Sequence, residues 1–368
     1  MPVRRAEAKT GRSMDYPIRD PKTWRRFGQL SVFDRLVLAL RNRRYRRRAA
    51  KRGRGTEIYP VRLVEGELRS KDLVLISVLK NAERYLPSFL SHYRTLGITR
   101  FAFVDDRSDD RTRELLLAAP DVDIYESNVN FDVAGGGLVW RDLLVERYGR
   151  DRWYMSLDCD EYLVFPGSED RKLTDFIADL EREGRKRALA VMIDIYPDAA
   201  LDGAPPHQPL EASPVTVCPL YDETGYAIEN EKFCTAIRGG ARQRMFGTDM
   251  RMTKFPLIYV DRRTRFNSGS AHGPLPIDRN FSPVHAALLH YKFSADSLAE
   301  FRTMYEWGTH FDGGRFYKQI LDHAEFNAEI DFRYAGSTVF TGSEKLVTTG
   351  FIEDIRADCP REGAAIRA

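Results

Sequence analysis

The string Ser156-Leu-Asp-Cys-Asp-Glu161 has the clearest chemical use in this chain. In an extended segment, residues two apart point to the same side, roughly 7 Å from one another. Asp158 and Asp160 then face one ligand while Cys159 turns into the fold. Two hard oxygen donors in that position suit Mg2+ or Mn2+ bound to a diphosphate. A strand-end turn with solvated carboxylates carries the same letters, so the surroundings must decide. A second acidic pair lies in Val104-Asp-Asp-Arg-Ser-Asp-Asp-Arg-Thr112. Asp105 and Asp106, at a strand end and in the loop after it, can accept from a ribose hydroxyl or a base N–H. Ser108 to Asp110 read as structural, since Ser or Asp before a helix is ordinary capping.

The elements that would position these groups follow from the apolar pattern. Residues 73–78 form a continuous apolar run, as in a strand buried on both faces. A helix is expected over 85–96, a strand over 101–104, a helix over 109–119 and a strand over 122–125. A helix over 138–148 and a fourth strand over 153–157 follow. Such alternation predicts right-handed crossovers and an α/β fold with a mostly parallel central sheet flanked by helices. Lys80-Asn81, Asp105-Asp106 and Asp158 with Asp160 each follow the C-terminal end of a strand, the edge where open α/β sheets bind ligands. A strand is expected over 189–195, a loop or lid over 197–219, a basic turn over 238–247, a strand over 284–293 and a helix over 298–307.

Three strings in order, Ile76-Ser-Val-Leu-Lys-Asn-Ala-Glu-Arg-Tyr-Leu86, Asp105-Asp-Arg-Ser-Asp-Asp-Arg-Thr112 and Leu157-Asp-Cys-Asp-Glu-Tyr-Leu163, resemble glycosyltransferase family 2. The resemblance is to the branch with a Lys-Asn-Glu signature, akin to family 92. It covers residues 70–170, and the basic Gly-Gly turn with Leu288-Leu-His-Tyr-Lys-Phe293 extends it to about 310. It implies a GT-A fold and an inverting, metal-dependent transfer from a nucleotide-sugar donor to a glycan or lipid-linked acceptor. It also implies nucleoside contacts from Ser77, Leu79, Glu83 and Asp105 or Asp106. Asp158 and Asp160 would hold metal and diphosphate, and His290 would complete the metal shell. Ala82 stands where the signature has its first glutamate, with Glu83 as the substitute.

Other candidates carry less. A lone histidine in an apolar strand such as that ending at His290 is commonly a hydrogen-bonded core residue, and His272 lies in a glycine-rich turn. Gly135-Gly-Gly137 before a helix reads as a flexible turn, with anion binding as the alternative. Arg238, Arg242 and Arg244 either neutralise a departing diphosphate or form a solvated charge run. An inverting transfer needs a carboxylate base on the acceptor side. Asp222, Glu223, Glu229, Glu231 and Asp249 are available, with Asp249 favoured and Glu231 next.

Of the 57 Lys and Arg, 18 fall in residues 1–54, leaving 39; of the 54 Asp and Glu, 4 fall there, leaving 50. A basic segment precedes an acidic body. The expected organisation is a basic arm over 1–70 with a helix over 24–48, and a main domain over 71–330. The main domain divides into a nucleotide-sugar half, 71–170, and an acceptor half, 171–330; a tail spans 331–368. Within 24–54, an apolar stripe beside a polybasic run is what an anionic membrane surface attracts; a disordered arm with solvated charge is the alternative. No recognised nucleic-acid module accompanies the arginines. Four cysteines without a CxxC pair indicate a reducing compartment, and no run approaches the ~20 apolar residues of a membrane span. The expected location is cytoplasmic, free or peripheral on the inner face of the cell membrane. A sugar nucleotidyltransferase or a non-catalytic membrane-associated scaffold would share the sheet. The former calls for a Gly- and Arg-rich phosphate loop where Leu79-Lys-Asn-Ala82 stands.

Overall fold

The computed structural model describes residues 13–24, 26–69, 71–204, 214–268, 273–307, 315–323, 326–327 and 329–357. Its centre is a six-stranded sheet. Strand β3 (Val74–Leu79) runs parallel to β4 (Arg100–Asp105) on one side and to β6 (Arg152–Ser156) on the other, and β5 (Val122–Ser127) is parallel to β4. All six residues of β3 are buried, as its unbroken apolar sequence requires. The edges are antiparallel: β2 (Ile58–Arg62) on β5 and β13 (Leu257–Val260) on β6. The order is therefore β13-β6-β3-β4-β5-β2.

Three helices make the parallel crossovers. Helix α3 (Leu86–Thr95) buries Leu86, Phe89, Leu90 and Tyr93, the spacing of one helical face, and has a proline in its first turn. Helices α4 (Thr112–Ala118) and α5 (Leu138–Tyr148) follow. The chain winds outward from β3 through β4 to β5, then returns to the far side of β3 as β6. The winding thus reverses between Leu79 and Ser156, where a crevice opens outside the strand ends.

A second six-stranded sheet leans against that crevice. Its path is β15 (Ser337–Val339), β9 (Leu220–Asp222), β8 (Ala190–Tyr196), β14 (Ala286–His290) and β7 (Glu161–Val164), with β12 (Thr253–Lys254) also paired to β8. Only β14 and β8 are parallel in it. Helix α6 (Leu173–Arg182) links β7 to β8, while α8 (Ser297–Trp307) and α9 (Arg315–Leu321) form a cluster around Phe293 and Phe301. A three-stranded sheet joins β1 (Met14–Tyr16), β10 (Tyr226–Asn230) and β11 (Thr235–Gly239). Helix α7 (Ala241–Phe246) follows β11, and α10 (Ser343–Thr349) lies near the end of the described chain.

The α/β class expected from the sequence is thus seen as a mixed α/β fold with parallel strands in two sheets. Two features of the expected arm differ. Within residues 1–70, β1 and β2 are strands of two different sheets, so this segment is woven into the body. Its helices are α1 (Pro21–Trp24) and α2 (Val32–Arg52). The long one begins later than residue 24 because Ser31 and Asp34 form a capping box. Among the described residues, no helix is long and apolar enough to cross a membrane.

His285 sits just before β14 with 1% of its surface exposed. Burial, with Arg185 nearby, lowers its pKa to about 3. It stays neutral in the fold, whereas the unfolded chain takes up that proton near pH 6.5. Stability contributed by this group is therefore complete above pH 6.5 and is lost as pH falls toward the folded value. In urea unfolding between pH 6.5 and 5.0, His285→Gln should reduce the loss by about 1 kcal/mol per pH unit, most of one proton's worth. An unchanged slope would show that His285 takes up its proton in the fold.

Candidate functional site

Residues 157–160 carry the chain from β6 in the central sheet to β7 in the second one. Leu157 and Cys159 are buried, and the carbonyl of Leu157 accepts from Ser77 Oγ at 2.6 Å. The alternate residues, Asp158 and Asp160, line the crevice. Asp158 Oδ1 accepts from Arg141 Nη2 at 2.8 Å and its Oδ2 from Lys254 Nζ at 2.7 Å. Lys254 also bonds the buried Glu161. Asp160 Oδ2 lies 3.3 Å from His290 Nε2 and 3.4 Å from Lys292 Nζ.

His290 occupies a fixed place in three strands at once. On β14 it registers with Glu161 of β7 and with Asp194 of β8. Its Nδ1 is 2.7 Å from Asp194 Oδ1, and Arg242 Nε donates to Asp194 Oδ2 at 2.6 Å. Burial by itself would lower the His290 pKa, but Asp160 and Asp194 raise it above the ordinary histidine value. Burial works against an ionised Asp160, yet Lys292 and His290 hold that carboxyl well below the usual range. In the same way Lys254 and Arg141 outweigh desolvation at Asp158 and lower its pKa. One ligand atom each from Asp160, Glu161 and His290 lie within 4.8 Å of one another, a donor set of two carboxylates and an imidazole.

These groups line a cavity of about 640 Å³ at the winding reversal. Leu79, Lys80 and Asn81 enter from the end of β3, Asp106 from beyond β4, and residues 156–161 from beyond β6. Gly136 and Leu138 add the mouth of α5. Gly137 beside them has φ +71°, and a Cβ there would approach Val78 Cγ2 to 3.0 Å and Arg141 Nη1 to 3.1 Å. Glycine therefore keeps Arg141 close to the floor of the site.

No protein-family model matches the chain. No curated protein matches its sequence either. Among solved structures it is similar to a crystal structure of 4-diphosphocytidyl-2C-methyl-D-erythritol synthase, at 10% identity over 52% of this chain and 76% of that one, with a TM-score of 0.26. A likeness of that size carries no argument about what the chain does.

Of the residues singled out in the sequence, Leu79, Asp106, Asp158, Asp160 and His290 line the cavity. Five others do not, and each is held by an internal partner. Ser77 is buried and bonds the Leu157 carbonyl. Glu83 Oε2 accepts from Arg111 N at 2.9 Å. Asp105 accepts from Ser108 Oγ at 2.6 Å and pairs with Arg113 at 2.7 Å. Glu231 is clamped by Arg238 and Arg251 at 2.6 and 2.5 Å. Asp249 is exposed and pairs with Arg238 at 3.0 Å. Neither of the two expected bases, Asp249 and Glu231, thus reaches the cavity wall. Of the three arginines in the basic turn, Arg242 alone lines the cavity; Arg244 is paired to Asp222 at 2.9 Å. His272 lies outside the described residues, as do positions 205–213 of the expected lid.

Sequence reasoning passed over Arg141, Glu161, Asp194, Lys254, Lys292 and Glu300. Glu161 adjoins the Asp-x-Asp string. Lys292 follows His290 by two, so in extended chain it points the same way. Lys254 sits between Thr253 and Phe255 with no motif around it. Glu300 projects from α8 into the cavity wall, bonded to Arg84.

The Arg242–Asp194 pair, with both side chains at most 3% exposed, supports a prediction. Removing one partner of a buried pair typically costs about 3–5 kcal/mol, mostly because the other charge is stranded. Arg242→Met should therefore destabilise the fold by about 3 kcal/mol or more in urea unfolding. Adding Asp194→Asn should recover most of that loss. Equal stability of Arg242→Met and the wild-type chain would show that Asp194 does not depend on Arg242.

Proposed function

We propose that this chain is a glycosyltransferase of the GT-A kind, moving a sugar from a nucleotide-sugar donor to the hydroxyl of a glycan or lipid-linked acceptor with inversion. The observation that carries this reading is the convergence of Asp158, Asp160, Glu161 and His290 with Arg141, Lys254 and Lys292 at the reversal of the parallel sheet. Carboxylates alone would suit a cation, and lysines with arginine alone would suit phosphate. Their interleaving suits a diphosphate accompanied by a divalent cation.

Asp160, Glu161 and His290 fit Mn2+ or Mg2+ as a donor set of hard oxygens with one imidazole, and Asp158 stands beside them. When bound, such an ion offsets charge on the leaving nucleoside diphosphate. His290 would surrender the proton on Nε2 to ligate, while Nδ1 keeps its bond to Asp194, an arrangement that fixes the ring and its tautomer. Arg141, Lys254 and Lys292 would meet phosphate oxygens. Leu79 and Asp106 would border the nucleoside.

In the transfer, the acceptor oxygen bonds the anomeric carbon as the bond from that carbon to the diphosphate oxygen breaks. The acceptor proton passes to a carboxylate on the acceptor side. We assign that carboxylate to Glu300, since of the cavity-lining acids it alone comes from α8, the others coming from the segments after β4 and β6. It takes the role expected of Asp249 and Glu231.

Two measurements test the reading. A panel of nucleotide-sugars should raise the Tm with Mn2+ present and do so less with a chelator, because ligands that bind only the folded state stabilise it. Asp160→Asn should keep its fold and lose Mn2+-dependent donor hydrolysis. Retained hydrolysis in a folded Asp160→Asn protein would overturn the metal assignment. Glu300→Gln should lower kcat for transfer by ~100-fold or more, the scale of a lost general base, while donor affinity holds. A matched fall in donor affinity would place Glu300 in donor binding instead.

A further inference from the structure

Helix α2 has two faces of opposite character. Inward, Leu38, Asn42 and Ala49 are buried and Tyr45 half-buried. Asn42 donates to Asp278 Oδ1 at 2.7 Å and accepts from Ile277 N at 2.7 Å. Tyr45 packs edge-on to Phe233 with centroids 5.3 Å apart. Arg41 and Arg46 reach the carbonyls of Lys232 and Arg263 at 3.2 and 2.7 Å. The Ala49 carbonyl accepts from Asn267 Nδ2 at 3.0 Å. The helix is thus bolted to the body along its length.

Its outward face leaves Val32, Phe33, Leu36 and Leu40 uncovered among the described residues, at 78, 73, 62 and 72% exposure. No other large apolar side chains described in the molecule stand so far into solvent in one row. Residues 32, 36, 40, 43, 47 and 51 follow one another at helical steps of three or four, so they form a single stripe. Its first half is apolar and its second half is Arg43, Arg47 and Lys51, with Arg44 beside them. The whole helix holds nine Lys and Arg against one acid, Asp34. The Ser31–Asp34 capping box fixes the first turn, which presents Val32 and Phe33.

We propose that this stripe docks the protein on an anionic lipid surface. The apolar half would enter the headgroup–acyl boundary while the cations meet lipid phosphates. Charge complementarity selects this occupant. A second copy would bring like charges together, and a nucleic-acid duplex would leave Phe33, Leu36 and Leu40 in water. The inner face of α2 touches Phe233, which lines the cavity. Docking would therefore hold the cavity close to the bilayer, whatever reaction it performs.

The test is sedimentation of the full chain with vesicles of phosphatidylcholine alone and of phosphatidylcholine with phosphatidylglycerol. Partition onto the anionic vesicles should exceed that onto the neutral ones by at least ~10-fold at low salt and fall at high salt. The Arg43→Glu/Arg47→Glu variant should lose that preference. The Phe33→Ser/Leu36→Ser/Leu40→Ser variant should bind at least several-fold more weakly, with the remainder removed by salt. All these side chains face solvent, so both variants should keep the wild-type Tm and nucleotide-sugar response. Equal binding to neutral and anionic vesicles would overturn the proposal. So would retention on duplex DNA without vesicle binding, or a dimer in solution that the serine variant dissolves.

Discussion

Four carboxylates, Asp158, Asp160, Glu161 and Asp194, crowd into the seam between two sheets, and no arrangement of the surrounding chain is free of that fact. An ionised carboxylate taken from water without compensation is among the most expensive things a fold can bury. Here compensation comes from five groups at four places: Arg141 on α5, Arg242 on α7, Lys254 on β12, and His290 at the end of β14 with Lys292 two residues on. None of these five lies within a dozen residues of the acid it serves. The acids can be ionised in the seam only when both sheets and the helices between them are already assembled. Such a network contributes less to net stability than its short distances suggest, since desolvation offsets most of the attraction. What it does impose is a single relative position of the two sheets.

That position places the Asp-x-Asp string. Strand β6 belongs to the parallel sheet and β7 to the mixed one, so the four residues between them must cross from one to the other. A crossing segment cannot satisfy its whole backbone in the two ladders, and single hydrogen bonds, two of them from distant parts of the chain, complete it. The Leu157 carbonyl takes Ser77 Oγ at 2.6 Å, Asp158 N donates to Glu161 Oε2 at 3.2 Å, and the Asp160 carbonyl takes Tyr291 N at 2.8 Å. Ser77 accordingly serves the crossing from beneath it. Another part of the wall comes from α8 and α9, which pack in an apolar cluster separate from the main one.

Much of this was legible in the sequence, and the division follows from range. Strands β3 to β6 and their crossover helices are read within a residue or a few, because each is a local apolar run or helical stripe between turns; α5 matches its expected bounds of 138–148. Strand β1 is invisible by the same standard, since its meaning lies in pairing Met14 with Ile228, far along the chain. The cations of the site are hidden for a similar reason. Asp-x-Asp is a pattern, whereas Lys254 is one lysine among many until β12 pairs with β8. The helix of the arm shows a subtler limit. Period alone identifies an apolar stripe on α2, but only packing reveals that Leu38 faces the body while Leu36 and Leu40 face water.

The charge count of the cavity bears on how a diphosphate could be accepted there. Its lining holds Lys80, Arg141, Arg242, Arg251, Lys254 and Lys292 against Asp106, Asp158, Asp160, Glu161 and Glu300, a formal surplus of one positive charge apart from His290. Nearly all of that positive charge is engaged with carboxylates already. A nucleotide-sugar diphosphate brings about two negative charges, which in a low-dielectric cleft would face like-charge repulsion from Asp158 and Asp160. Arriving with a divalent cation it is close to neutral and leaves the surplus as it was. The same cavity without a cation would need its carboxylates to take up protons to admit the donor. The carboxylates gathered in the seam are thus a physical ground for the proposed metal dependence, beside the letters of the Asp-x-Asp string. It also explains why the lysines matter: with four acids and no lysines, the cation would bind but the phosphates would find no charge of their own.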